Sequence, residues 1–402
     1  MSRKNLLTLL ITITGSVCGS EMLILNEAIT DGMLCRGHHW TPDEANLKMK
    51  EFAATWNNKA SWEKRKAKIR QGILDGLHWD HMPKIEGDFE PIINSRREMD
   101  GYAVENIAIK SFPGFYITGN LYTPVNPKDK NPAILNPHGH MPNKRLTHYM
   151  QLRCASFARM GAIAFAYDMV GHGESKQINH RMPIAALLQT WNSKRVLEYL
   201  LSRPDVDPKR IGMTGGSGGG TQTFMLTAID DRITVSAPTV QVSAHFFGGC
   251  ICESGMPIHT SRVQTNNVEF AALAAPRPLL MTSNGADWTR NTPRIEYPYV
   301  QSVYALYDAE HKVENVHLAT EGHDYGFSKR AISYGFFGHH LGLPYKRVGY
   351  DEGFDETSVT VLEPAELYVF NKDQPRPTDE LVGDDAVMAY LGFIYDSPSS
   401  KK

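Results

Sequence analysis

One stretch constrains this chain more than any other. Residues 211–224 read IGMTGGSGGGTQTF, with five glycines crowding a single serine between an apolar run and a segment of helical character. The core-type runs on both sides rule out a flexible linker. A phosphate cradle fails on spacing: no Lys-Ser or Lys-Thr pair follows the last glycine, and no set of glycines here satisfies GxGxxG. Gly215-Gly216-Ser217-Gly218-Gly219 does satisfy GxSxG, the sharp turn that holds a nucleophile between a strand and a helix. Such a turn forces the serine into a sparsely populated backbone region at a cost of about 1–3 kcal/mol, and leaves no room for side chains at the flanking positions. The amide of Gly218 is then expected at the helix N-terminus, where negative charge is stabilised.

A serine hydroxyl is a poor nucleophile without a base, and the base needs an acid to fix its tautomer. In folds built on this turn the order along the chain is Ser, Asp or Glu, then His. His323, in the polar loop ATEGHDYGFS after the last strand-like run, is the expected base, and Asp287, in the loop closing RPLLMTSNGADWT, the expected acid. Glu253 and Glu269 are the rival acids; Asp324 sits beside the histidine and cannot easily reach around it. His317 lies within a strand pattern and His339 and His340 within a helix, which makes them poorer bases. A second oxyanion donor is expected from the backbone of Gly139, His140 or Met141, in the loop after the strand-like AILNP. Trp288 is expected to wall the pocket, and Arg262 to contact substrate, with Arg290, Arg294 and Lys144 as further groups that could touch a uronic acid.

Two motifs raise a metal. His138 and His140 form HxH and Cys250 and Cys252 form CxC, but neither has a third ligand at convincing spacing, so the chain is read as holding no metal and needing no cofactor. Four cysteines beyond Cys18 are too few for a disulfide framework in 402 residues.

From residue 133 onward, short apolar runs alternate with helical segments, the pattern of an α/β fold with a mostly parallel sheet. The strand candidates are 133–137, 162–168, 210–215, 233–238, 277–283 and 313–320, with two more between 102 and 123 broken at Pro113-Gly114, and the clearest helix at 183–203. Residues 241–272 break this rhythm and read as a lid-type insertion. The expected organisation is a signal peptide over 1–20, an N-terminal helical extension over 21–99, a catalytic domain over 100–345 and a C-terminal extension over 346–402. In that extension SVTVLEPAELYVF is strand-like. Arg3 and Lys4 ahead of the apolar run Leu6 to Ile13 give residues 1–20 the layout of a secretory signal, which predicts a secreted or periplasmic protein; a lipid anchor at Cys18 fits its neighbours poorly. Charge is balanced, 42 Lys+Arg against 44 Asp+Glu, with no run of five or more like charges, which argues against a nucleic-acid partner. No later segment is long and apolar enough to span a membrane, and oligomeric state is not legible.

The stretches NPHGH, YDMVGHGES, GMTGGSGGGTQT, AAPRPLLMTSNGADWT and EGHDYG together resemble the α/β-hydrolase superfamily, and within it the acetyl-xylan-esterase and dienelactone-hydrolase-like branch of secreted bacterial carbohydrate esterases. The resemblance implies a central sheet flanked by helices and a serine esterase acting on small-molecule or polysaccharide esters, such as acetyl groups on xylan. In such hydrolases the residue equivalent to Asp168 braces loops near the active site. Two departures stand out: glucuronoyl esterases carry arginine where this chain has Gly218, and the deacetylases of acetyl xylan and cephalosporin C carry RGQ where it has GHG after Val170. Alternatives with the same three residues are a glucuronoyl or other uronate ester hydrolase and a peptidase or lactone hydrolase. An inactive scaffold that binds carbohydrate is the non-enzymatic one.

Overall fold

The computed structural model describes residues 40–344 and 355–393, so the expected signal segment, Cys18 and Cys35 lie outside the described residues. Nine strands form one sheet: β1 (Ile92–Glu98), β2 (Tyr102–Phe112), β3 (Phe115–Pro124), β4 (Asn131–Pro137), β5 (Ile163–Tyr167), β6 (Val206–Gly216), β7 (Val235–Thr239), β8 (Leu279–Asn284) and β9 (Val313–Leu318). Their spatial order is β1-β2-β3-β5-β4-β6-β7-β8-β9. The first three and the β3–β5 pair are antiparallel, and every pair from β5 to β9 is parallel.

Ten α-helices accompany the sheet among the described residues: α1 (Pro42–Ala53), α2 (Lys59–Leu77), α3 (His148–Arg159), α4 (Ala185–Ser202), α5 (Gly218–Ile229), α6 (Gly255–Thr260), α7 (Asn267–Ala272), α8 (Glu296–Ala305), α9 (Phe327–His340) and α10 (Asp384–Tyr390). The parallel strands read as near-continuous apolar runs because both faces are covered. Alternate residues serve opposite faces. Ile134, Ala164 and Ala237 join a core with Phe157 of α3 and Phe337 of α9, whereas Leu135, Phe165 and Met213 join one with Val196 and Leu200 of α4. No helix among the described residues is long and apolar enough to cross a membrane.

Two helices, α1 and α2, lie within the segment expected as a helical extension. Thr41 and Glu44 close a capping box at α1 with Pro42 in its first turn, and Asn58 caps α2 after the break. Both pack on the body of the fold: Arg65 of α2 pairs with buried Glu269 of α7, and Arg70 Nε donates to the Ala228 carbonyl at 2.6 Å. Within the 241–272 insertion, α6 lies so close to α2 that a Cβ on Gly76 would meet the Pro257 carbonyl oxygen at 2.5 Å.

Two expectations need correcting. Residues 92–98, assigned to the helical extension, form β1 and pair with β2 through Ile92–Ala108 and Ile93–Ile107. The strand-like SVTVLEPAELYVF is not a strand but holds a 3₁₀ turn at Pro364–Leu367. Its alternation reflects buried Leu367 and Val369; its backbone is held by side chains, with Asn106 and Asn120 donating to carbonyls and Glu174 accepting from the amides of Val369 and Phe370.

Candidate active site

β6 ends at Gly216 and α5 begins at Gly218, leaving Ser217 at the joint with φ 56° and ψ −127°. This is the strained geometry the glycine pattern predicts. The flanking glycines are required by contact: a Cβ on Gly215 would come within 2.6 Å of the Pro137 carbonyl oxygen, and one on Gly219 within 2.5 Å of the same atom. The Ser217 amide donates to the Thr239 carbonyl at 3.1 Å, which ties the turn to the end of β7.

The candidate oxyanion donors separate. Gly218, as the first residue of α5, has no intrahelical acceptor for its N–H. The loop after β4 runs against the elbow, so that a Cβ on Gly139 would lie 2.7 Å from the Gly216 carbonyl oxygen and 3.1 Å from Ser217 Cβ. Met141 is a correction: its N–H already donates to the Gly139 carbonyl at 3.0 Å in a tight local turn. Among the described residues, the amides of Gly139 and His140 meet no such partner.

His323 and Asp287 lie on loops after β9 and β8. Their side chains meet at 2.6 Å, Nδ1 to Oδ2, and a carboxylate can only accept, so the Nδ1 proton is the one donated. The other oxygen of Asp287 accepts from the Thr289 amide and hydroxyl, both at 2.6 Å. Trp288 stacks obliquely on His323 with ring centroids 4.3 Å apart, and on Phe246 at 4.2 Å. The rival acids are committed elsewhere: Glu269 to Arg65 and Tyr299, Glu253 to the amides of Gly249 and Cys250 and to Thr221 and Gln241, and Asp324 to Lys329.

Asp168 is the brace its motif suggested. It accepts from the Thr118 hydroxyl at 2.7 Å and the Glu174 amide at 3.0 Å, and pairs with buried Arg145 at 2.9 Å; Arg145 also binds Glu174. His138 is buried beside it, and burial pushes its pKa down to about 4, so the neutral ring accepts from the Met169 amide at 2.9 Å.

Ser217, His323, Trp288 and Phe246 front one pocket of about 960 Å³. Lys144, Lys176 and Arg181 also line it, and none has a carboxylate partner among the described residues. Arg262 does not line this pocket, nor do Arg290 and Arg294. Arg262 follows α6 in a segment whose Ser261 and Val263 press on Gly72 of α2, and its side chain is exposed. Lys176, Arg181 and Glu253 were missing as pocket groups because nothing in their spacing ties them to Ser217.

One further convergence was illegible in the sequence. The expectation of no metal rested on HxH and CxC each lacking a third ligand. The fold separates His138 from His140 and gathers His140 with His180, Cys250 and Cys252, whose ligating atoms all lie within 4.8 Å of one another.

No family model matches the chain. Among solved structures, the methylesterase BT1017 is 40% identical over 88% of this chain and 79% of its own, with a TM-score of 0.82. A glucuronoyl esterase from Solibacter usitatus shares the fold, with a TM-score of 0.53 at 16% identity over 71% of this chain and 95% of that one. Among curated proteins, a 4-O-methyl-glucuronoyl methylesterase of Neurospora crassa is 30% identical over 137 residues, 26% of this chain. The match spans about a third of that relative's length, 34%.

Proposed function

This chain belongs to the α/β-hydrolase carbohydrate esterases, the family of the methylesterase BT1017, and on that premise we propose that it hydrolyses the methyl ester of a uronic acid within an acidic polysaccharide. One arrangement carries the reading: an elbow serine and an Asp-buttressed histidine open into a pocket whose lining, with Glu253 and Asp384, includes three cations that pair with no carboxylate among the described residues. Methyl-esterified uronate chains also carry free carboxylates, and Lys144, Lys176 and Arg181 offer those carboxylates charge-assisted hydrogen bonds. An export signal over residues 1–20 would suit a polymeric substrate.

In this reading Ser217 Oγ attacks the ester carbonyl while His323 Nε2 takes its proton, and Asp287 holds the imidazolium that results. The amides of Gly218 and of the 139–140 loop hydrogen-bond the oxyanion; one such donor is worth on the order of 10²–10³ in rate. His323 then returns the proton to the departing methoxide, releasing methanol. Water, deprotonated by the same histidine, cleaves the acyl-enzyme and leaves a free uronate. Trp288 supplies an apolar wall beside the base.

The acetyl ester of a neutral polysaccharide is the second reading. It uses the same steps and is favoured by the motif resemblance, but it leaves the three cations without a task. Initial rates of methanol release from methyl-esterified polygalacturonate and of acetate release from acetylated xylan, with Ser217→Ala beside the wild type, separate the two. The expected result is methanol release that Ser217→Ala abolishes. Acetate release alone would replace the substrate, and equal rates for wild type and variant would remove the serine mechanism.

A further inference from the structure

We propose that His140, His180, Cys250 and Cys252 bind a zinc ion in a closed, tetrahedral site that clips together three loops around the active-site pocket. The proposal is independent of the ester assigned above.

The four side chains come from separate parts of the chain: the loop after β4, the loop between β5 and α4, and the loop that follows β7. Their donor atoms nonetheless face one another. His140 Nε2 lies 2.9 Å from His180 Nε2, Cys250 Sγ lies 3.1 Å from His180 Nε2, Cys252 Sγ lies 3.3 Å from His140 Nε2, and no pair exceeds 4.8 Å. A tetrahedral zinc with bonds of roughly 2.0–2.1 Å to nitrogen and 2.3 Å to sulfur has ligand-to-ligand edges of roughly 3.3–3.8 Å. Small rotamer adjustments bring the cluster onto those edges.

The donor set is also chemically selective. Two imidazoles and two thiolates suit a borderline-soft ion such as zinc and disfavour calcium or magnesium, which take oxygen ligands. Two thiolates neutralise the ion's double charge, which makes the site compatible with partial burial. Four protein ligands leave no open position, so the ion's role is structural.

The second layer is in place. His180 Nδ1 is hydrogen-bonded to the Val170 carbonyl at 2.5 Å, which fixes the tautomer that presents a bare Nε2 to the cluster. On the cysteine loop, Glu253 accepts from the Gly249 amide at 2.7 Å and the Cys250 amide at 3.0 Å, and its other oxygen binds Gln241 and, through Thr221, α5. The ring of His140 packs over the elbow: a Cβ on Gly218 would lie 2.9 Å from its Cε1. A clip that fixes this ring therefore also fixes the loop holding the Gly139 and His140 amides beside Ser217.

The test uses the full chain, purified without a metal-affinity tag. Elemental analysis of the isolated protein should find about one zinc per chain. After removal under reducing conditions, titration with Co²⁺ should give the intense ligand-field and thiolate charge-transfer bands of tetrahedral cobalt, which Zn²⁺ displaces. The Cys250→Ser/Cys252→Ser double variant should lose both signals; if it fails to fold, the wild-type cobalt spectrum decides. A protein isolated with a Cys250–Cys252 disulfide that, once reduced, takes up no stoichiometric zinc or cobalt overturns the proposal, as does full metal content in the folded double variant.

Discussion

His323 Nδ1 donates to Asp287 Oδ2 at 2.6 Å, and the second oxygen of Asp287 is held by the amide and hydroxyl of Thr289. With both oxygens committed, the carboxylate cannot rotate, and the imidazole's other nitrogen is left bare toward the pocket. Asp287→Asn keeps the shape but reverses this donor logic. Its kcat should fall by about 10³–10⁴ with little change in KM or melting temperature. A loss below tenfold, read from steady-state kinetics on a small ester, would show that another acid orients the base.

Strain at Ser217 should be recoverable as stability. Ser217→Gly relieves a positive φ worth about 1–3 kcal/mol and adds about 0.5–1 kcal/mol of chain entropy to the unfolded state. The net expectation is a gain of about 1 kcal/mol in denaturant unfolding together with loss of turnover on the order of a millionfold. A variant less stable than wild type would mean that the serine side chain contributes more contacts than strain.

The basic wall should act on polyanions alone. Lys176→Gln combined with Arg181→Gln should raise KM for methyl-esterified polygalacturonate about tenfold, from roughly 1 kcal/mol or less per exposed ion pair, while a neutral small ester is cleaved as before. Added salt should shrink the difference between variant and wild type. Equal KM increases on both substrates would point to a distorted pocket instead.

Glu296 is a buried carboxyl whose Oε1 accepts from the Ala244 amide at 2.9 Å, and burial raises its pKa to about 7. The unfolded chain releases this proton near pH 4.5, so from there up to about pH 7 the folded state loses stability, and above pH 7 the loss is complete. A rise from 4.5 to about 7 corresponds to roughly 3 kcal/mol. Glu296→Gln retains the acceptor and removes the charge, so it should equal wild type at pH 4.5 and exceed it at pH 8 by up to roughly that amount. Parallel denaturant melts at the two pH values check this, and identical pH profiles would argue that Glu296 ionises freely.

Much of the fold was legible because its signals are local. Parallel strands buried on both faces must be short apolar runs, and β4 through β8 appear where such runs were read, as does the half-buried edge strand β9. The GxSxG turn is local too, since contacts with the Pro137 carbonyl oxygen forbid side chains at Gly215 and Gly219 whatever the rest of the molecule does. Misreadings arose where a pattern had two causes. The alternation in 358–370 records which side chains are buried, and burial there is achieved without strand pairing because Asn106, Asn120 and Glu174 hold the backbone.

The sequence by itself determined the α/β architecture, the strained backbone at Ser217 and the order along the chain of the candidate triad Ser217, Asp287 and His323, because each follows from spacing within a few residues or from a fixed order of strands. Only the tertiary structure decided which groups surround Ser217. Met141 was withdrawn as a donor by its own turn, Arg262 was carried away with the segment packed on α2, and Lys176 and Arg181 were brought in from the part of the β5–α4 loop that follows YDMVGHGES. His140, His180, Cys250 and Cys252 illustrate the reason: their ligating atoms lie within 4.8 Å of one another, although up to 112 residues separate them in sequence. That proximity is set by how three loops leave the same end of the sheet, and no spacing along the chain encodes it.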